Sequence, residues 1–266
     1  MSAPARVTRY RITARRDVPA PRLSLALVAD LHACRPFMDL PRIRALVAQT
    51  NALGADMILL LGDYVGHVYG GRSLPPEPVT EALAQLSAPL GVFAVFGNHD
   101  WKDDRQARAT GDPTIWHRAF AAHGLPCLNN DALTIEAPGG AFTLAGLDSQ
   151  RAFRSFWHRD APGADRLDQV LPKLDPARFT LLMAHEPDIF PELPGHIDLT
   201  VSGHTHGGQI LPFGQPLVVP SRFGTRYAYG HTEEEGRQLV VSGGLGCSGP
   251  PFRYRRPPEL VLLEIA

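Results

Sequence analysis

Five short motifs rich in metal-ligating side chains each close an apolar run of strand length, and they are dispersed from Asp30 to His206. They are Asp30-Leu31-His32, Gly62-Asp63, Gly97-Asn98-His99-Asp100, His185 after Met183-Ala184, and Gly203-His204-Thr205-His206-Gly207. Side chains so far apart in sequence meet only if the fold brings several strand ends to one edge. In α/β sheets the C-terminal edge of the strands is where such sites assemble. The pattern therefore calls for a sheet-based fold with long-range contacts. It excludes a zinc finger, whose ligands cluster locally at short spacing.

Residues 23–29, 57–61 and 92–96 are apolar runs of buried-strand length. Between the first two, Ile43, Leu46 and Val47 recur at helical spacing, with Asp39 placed to cap the helix and Gly54 beyond its end. Residues 78–86 form the next helical segment. This alternation predicts a parallel sheet covered on both faces. In the second half, residues 142–146, 179–184, 197–201, 239–242 and 260–265 read as strands, and 113–122 and 164–171 as helices. Glycine and proline, 25 of each, gather in loops at 70–78, 161–163, 212–220 and 243–258. No internal repeat or linker divides the chain. Residues 1–266 are expected to form one domain of two packed sheets, with the motifs in a core spanning about 23–266.

The charge balance, Lys+Arg 26 against Asp+Glu 27, offers no electrostatic basis for nonspecific binding to nucleic acid or membrane. The N-terminus lacks the apolar segment of an export signal, and no apolar run approaches the ~20 residues that span a bilayer. Cys34, Cys127 and Cys247 are odd in number and form no paired motif, as in a reduced compartment. A cytoplasmic chain is expected, with peripheral membrane association as the alternative. No stable nucleic-acid partner is expected.

Asp30 and His32, two apart on a turn after a strand, can reach one ion. Asp63 follows a glycine that lets the backbone bend at a strand end. The Asn98 oxygen can ligate without adding charge. His99 can then act on a substrate, with Asp100 expected to fix its tautomer or stabilise its protonated form. His204 and His206 share an irregular glycine-flanked loop and can serve different ions. With His185 these make two Asp, one Asn and four His. That mixed nitrogen and oxygen inventory suits manganese, iron or zinc better than magnesium or calcium. Two-metal sites of this kind mostly hydrolyse phosphate esters.

The order D-x-H, G-D, G-N-H-D, H, G-H-T-H resembles the calcineurin-like metallophosphoesterases, from Leu25 to the C-terminus. The stretches 202–210, 220–224 and 241–246 look most like the bacterial branch related to the YkuE and YaeI phosphodiesterases. The resemblance implies an α/β fold of two packed mixed β-sheets flanked by helices, a four-layer sandwich. It implies one metal on Asp30, His32, Asp63 and His206, and a second on Asp63, Asn98, His185 and His204. His99 would stay off the metals and face the phosphate, and a metal-bridging hydroxide would attack phosphorus. The implied activity is phosphodiester hydrolysis, and the lack of an apolar anchor with the near-zero net charge leads to the expectation of a small, soluble phosphoester as substrate. Alternatives are a phosphomonoesterase or protein phosphatase, a lipid-linked pyrophosphate hydrolase, and a non-catalytic metal-binding scaffold. Scaffolds of that last kind typically lose ligands, and every one is present here. Arg222, Arg226, Arg253, Arg255 and Arg256 are further candidates for phosphate contact. The aromatic segment 151–158 is expected to pack rather than to form a lid.

Overall fold

The structure, a computed structural model, describes residues 4–154 and 160–266. Its main strands in the first half are β1 (Arg6–Ile12), β2 (Leu23–Val28), β3 (Met57–Leu60) and β4 (Val92–Ala94). They are followed by β5 (Asp131–Ile135), β6 (Phe142–Leu147), β7 (Phe179–Ala184), β8 (Leu199–Ser202), β9 (Gly230–Glu234), β10 (Arg237–Val241) and β11 (Glu259–Ile265). Two mixed sheets result. The first has the order β1-β11-β2-β3-β4, with β11 antiparallel to β2 and the other pairs parallel. The second has the order β9-β10-β8-β7-β6-β5, parallel at its centre and antiparallel at both edges.

Strand side chains alternate between faces, and this alternation builds the layers. Leu25 and Leu27 of β2 point inward with Leu59 of β3, against Leu144, Leu181, Met183 and Val201 of the second sheet. Their neighbours Ala26, Val28, Ile58 and Leu60 face outward and are covered by helices. Those helices are α1 (Leu40–Asn51), α2 (Pro76–Leu83) and, after α3 (Asn98–Lys102) and α4 (Arg105–Thr110), α5 (Ile115–Ala122). The outer face of the second sheet, with Ala145, Leu182 and Leu239, packs on Val170, Leu174, Phe190 and Leu193. The expected four-layer α/β sandwich is therefore present. The Asp39 carboxylate caps α1 by accepting from Arg42 N–H at 3.1 Å.

β2, β3, β4, β7 and β8 run parallel within their sheets and end at Val28, Leu60, Ala94, Ala184 and Ser202. Each ends one to four residues before a ligand motif. Cross-links between the sheet edges hold these ends in register. Leu245 N–H donates to Ala29 O at 3.0 Å, and Gly246 N–H to Asp30 O at 2.7 Å. The Tyr64 hydroxyl, buried against Phe120, donates to Val95 O at 2.9 Å and ties the loop after β3 to the strand beside it.

Candidate metal centre

Five non-glycine residues of the motifs hold left-handed backbone: Asp30 (φ 53°), His32 (47°), Asp63 (56°), His204 (68°) and His206 (53°). Such conformations cost non-glycine residues roughly 1–3 kcal/mol each and persist only where the surroundings over-determine them. Here the surroundings are the strand ends. Asp30 N–H donates to Gly62 O and His32 N–H to Asp63 O, at 3.1 and 3.0 Å. The loops also approach each other too closely for side chains between them. A Cβ on Gly97 would lie 2.2 Å from Asp63 Oδ1 and 2.7 Å from His185 Nε2.

The resulting geometry places ligand atoms in two groups, Asp30–His32–His206 and Asp63–His185–His204, each within 4.8 Å internally. In the first, His206 Nε2 is 3.1 Å from His32 Nε2 and 3.6 Å from Asp30 Oδ1. In the second, His185 Nε2 is 3.2 Å from Asp63 Oδ2. The same Asp63 oxygen is 3.6 Å from His32 Nε2, so one carboxylate faces both groups.

The tautomers are set by the far side of each ring. His185 Nδ1–H donates to Leu61 O at 2.6 Å, and His204 Nε2–H to Pro220 O at 3.0 Å. This bares His185 Nε2 and His204 Nδ1. His185 Nε2 is buried with no well-aligned hydrogen bond and with Asp63 Oδ2 3.2 Å away, so it would take either a proton drawn by that carboxylate or a cation in its place. His32 Nδ1–H turns to Val65 O at 3.0 Å, baring its Nε2. His206 differs. Arg253 can only donate, and its Nη2 reaches His206 Nδ1 at 3.0 Å, which puts the ring proton on Nε2, facing His32. For an ion to bind Nε2 of a neutral ring, the proton would have to sit on Nδ1 and Arg253 would have to turn from it.

Asn98 satisfies its hydrogen bonds in one of its two amide orientations. With its oxygen toward Lys102 Nζ at 2.7 Å, its amino group donates to His204 Nδ1 at 2.8 Å and no cation is needed. Turned the other way, its oxygen meets the Nδ1 lone pair, which a cation would bridge, while its amino group meets the donors Lys102 Nζ and His99 N–H.

Burial dominates the electrostatics. It pushes the Asp30 carboxyl up to about 7. It lowers His32 to about 4, and His99, His204 and His206 well below the imidazole range, so these rings are neutral. Burial also disfavours charge on Asp63 and His185. Their mutual attraction prevails, holding Asp63 low and His185 high.

His99 lies apart from both groups. Its backbone N–H donates to Asp63 Oδ1 at 2.9 Å, while its ring lines a cleft of about 480 Å³. The ring packs on that of His67 with centroids 4.2 Å apart. Asp100 does not orient it, contrary to expectation. Oδ1 of Asp100 accepts from the N–H groups of Tyr64 and Val65, and Oδ2 from those of Asp63 and Gly97, at 2.8–3.1 Å. Both oxygens are thus engaged by backbone, and Asp100 ties the Asp63 loop to the Asn98 loop.

The sequence reading passed over His67 and Lys102, which line the cleft with Arg151. Lys102 lies one turn after Asn98 on α3, a spacing that could have revealed it. Among the five arginines, Arg253 reaches a ligand ring. Arg222 pairs with Glu192, Arg226 with Glu234, and Arg256 stacks on Tyr229. Phe153 packs edge-on against Trp101, as expected of its segment; Phe156, Trp157 and His158 lie outside the described residues.

A family model described as calcineurin-like phosphoesterase matches residues 23–208. The chain is 29% identical over 250 residues to a Caenorhabditis elegans protein that carries a metallophosphoesterase name. That alignment takes in 91% of this chain and 48% of the worm protein, so the chain spans about half of that relative's length. It is 26% identical to YkuE, an uncharacterized metallophosphoesterase of Bacillus subtilis (strain 168), covering 89% of this chain and 77% of YkuE. It is 29% identical to phosphodiesterase YaeI of Escherichia coli (strain K12), covering 97% and 87% respectively. With the match extending across the strands that carry all five motifs, the chain belongs to the calcineurin-like phosphoesterase family.

Proposed function

We propose that the chain is a dinuclear metal-dependent phosphodiesterase acting as a single domain. The observation that carries this reading is the Asp63 carboxylate, which faces one ligand group from each side at the floor of an open cleft. Asp30, His32, Asp63 and His206 would hold one ion, and Asp63, Asn98, His185 and His204 the other. Manganese, iron and zinc suit these ligands. Bound there, two such ions supply Lewis acidity and a nucleophile at neutral pH.

The chain's own groups do the rest. The His99 ring, outside both shells and neutral, would stabilise charge on a phosphate oxygen by donating a hydrogen bond, and would protonate the leaving oxygen only where the substrate's negative charge raises its lowered pKa. Lys102 and Arg151 add positive charge to the cleft wall. Arg151 is held by donation to Pro220 O at 3.1 Å, the carbonyl that also fixes His204. The name of the E. coli relative supports a diester preference.

The test is turnover of bis(p-nitrophenyl) phosphate against p-nitrophenyl phosphate after manganese loading. Faster cleavage of the diester is expected. Faster cleavage of the monoester would replace the diester assignment, and two bound ions with no turnover of either would favour a scaffold.

A further inference from the structure

Seven large hydrophobic side chains are exposed among the described residues, and six of them stand on three loops. These six are Tyr69, then Phe213, Leu217 and Val218, then Phe252 and Tyr254; the seventh is Ile115 on α5. Scattered surface hydrophobics need no explanation, but a gathered set does. Phe213 is 98% exposed, on left-handed backbone at φ 56°.

The three loops form one built platform. Tyr69 N–H donates to Gly249 O at 2.7 Å, Leu211 N–H to Tyr254 O at 3.0 Å, and Tyr254 N–H to Gln209 O at 3.0 Å. The two N–H bonds of the buried Gln209 amide are shared among the carbonyls of Ser248, Pro250 and Phe252, and its oxygen accepts from Ser248 N–H. The platform also frames the metal cleft, because Tyr69, Leu217, Val218 and Pro250 form part of its wall.

Charge is segregated in the same way. Residues 66–74, 207–220 and 248–258 contain no Asp or Glu, in a chain with 27 acidic residues. They contain Arg72, Arg253, Arg255 and Arg256. Arg253 and Arg256 are bonded to backbone carbonyls, which leaves Arg72 and Arg255 exposed on the platform. Apolar tips beside guanidinium groups, on loops that carry no carboxylate of their own, complement an anionic lipid surface, with Asp103 near His67 the acidic neighbour. A small soluble ester in the cleft would give Phe213, Phe252 and Tyr254 nothing to bury against.

We propose that this rim docks the mouth of the cleft onto an anionic lipid surface, so that the phosphoesters entering it are lipid-borne. The substrate class rests on the phosphoesterase reading above. It departs from the small soluble ester expected from charge and hydropathy, because both quantities average over the chain and miss a local patch.

Flotation of the full chain with phosphatidylcholine vesicles, with and without phosphatidylglycerol, tests the surface. The parent should float with the anionic vesicles. Phe213→Ser/Phe252→Ser, whose positions do not line the cleft, should lower partitioning by about tenfold or more while unfolding at the parent's temperature. Arg255→Ser should weaken it further on anionic vesicles alone. A parent that stays in the aqueous phase, or a double variant that floats equally well, overturns the proposal. So does a parent dimer that the double variant splits without any vesicle binding, since a second copy then occupies the rim. A parent that floats yet cleaves no ester, soluble or lipid, upholds the docking surface and removes the phosphoesterase reading. One that cleaves a soluble diester yet never floats does the reverse.

Discussion

Replacing Asp100 by Asn tests whether this carboxylate builds the site or takes part in its chemistry. Asp100 is fully buried, and each of its oxygens accepts two backbone N–H bonds. Asparagine keeps one acceptor oxygen and turns an amino group toward the other two donors. Burial pushes the Asp100 carboxyl up to about 7, so above that pH two charge-assisted bonds are lost, at about 1.5–3 kcal/mol each, and two N–H groups are left facing a donor. Loop relaxation recovers part of this, so a loss of about 3 kcal/mol is expected, near the upper end of single substitutions. At about 2–4 °C per kcal/mol for a chain approaching this size, the melting temperature should fall by about 6–12 °C. The donors on one oxygen belong to Asp63 and Gly97, so both metal groups should loosen together. Thermal unfolding with and without manganese, alongside metal analysis, reads both effects. A variant with parental melting temperature and metal content, but with turnover down about a hundredfold and an altered pH profile, would refute this reasoning. Asp100 would then act through His99, as the sequence suggests.

Asp63→Asn should weaken both ions and His206→Ala chiefly one, because only Asp63 faces both groups; metal analysis under manganese-replete conditions distinguishes them. His99→Ala should keep metals and fold while turnover falls by about 10²–10⁴, and metal loss equal to that of Asn98→Ala would make His99 a ligand. Manganese affinity of the Asp30 group should rise with pH up to about 7 and then level, since burial holds that carboxyl up to about 7 and ligation needs it deprotonated. His32, lowered to about 4, stays neutral over this range and adds no slope. Calorimetric titration should show about tenfold weaker binding at pH 6 than above 7, and a flat profile would refute the assignment.

The parts of the fold that were legible are those where burial on both faces leaves an unbroken apolar run. Residues 23–29, 57–61 and 179–184 are of this kind, and they became β2, β3 and β7. The three long strands absent from the sequence reading, β1, β5 and β9, all lie at sheet edges. Edge strands face water along one side and carry charge, as Arg6, Arg9 and Arg11 do on β1 and Glu233 and Glu234 on β9. Their apolar signal is correspondingly faint. The ligand motifs stood out because each combined glycine with unusual polar types after an apolar run. The role of Asp100 did not, because a carboxylate bonded to backbone donors leaves no mark on neighbouring residue types. His67 was invisible for a similar reason: its contact with His99 joins the segment after β3 to α3, which sequence spacing does not relate.

The left-handed backbone at Asp30, His32, Asp63, His204 and His206 also constrains how this site can change over generations. Aspartate, asparagine, histidine and glycine are the residue types that this conformation admits most readily, and three of these four can ligate a metal. Backbone tolerance and coordination chemistry therefore select nearly the same alphabet at these positions. Drift within that alphabet can exchange one ligand for another, or silence a position through glycine, while the loops keep their path. Drift toward valine or isoleucine must first break the strand-end turn. Descendants of this chain that abandon metal should carry glycine or asparagine at the five positions, and their loops should still trace the outline of a site they no longer use.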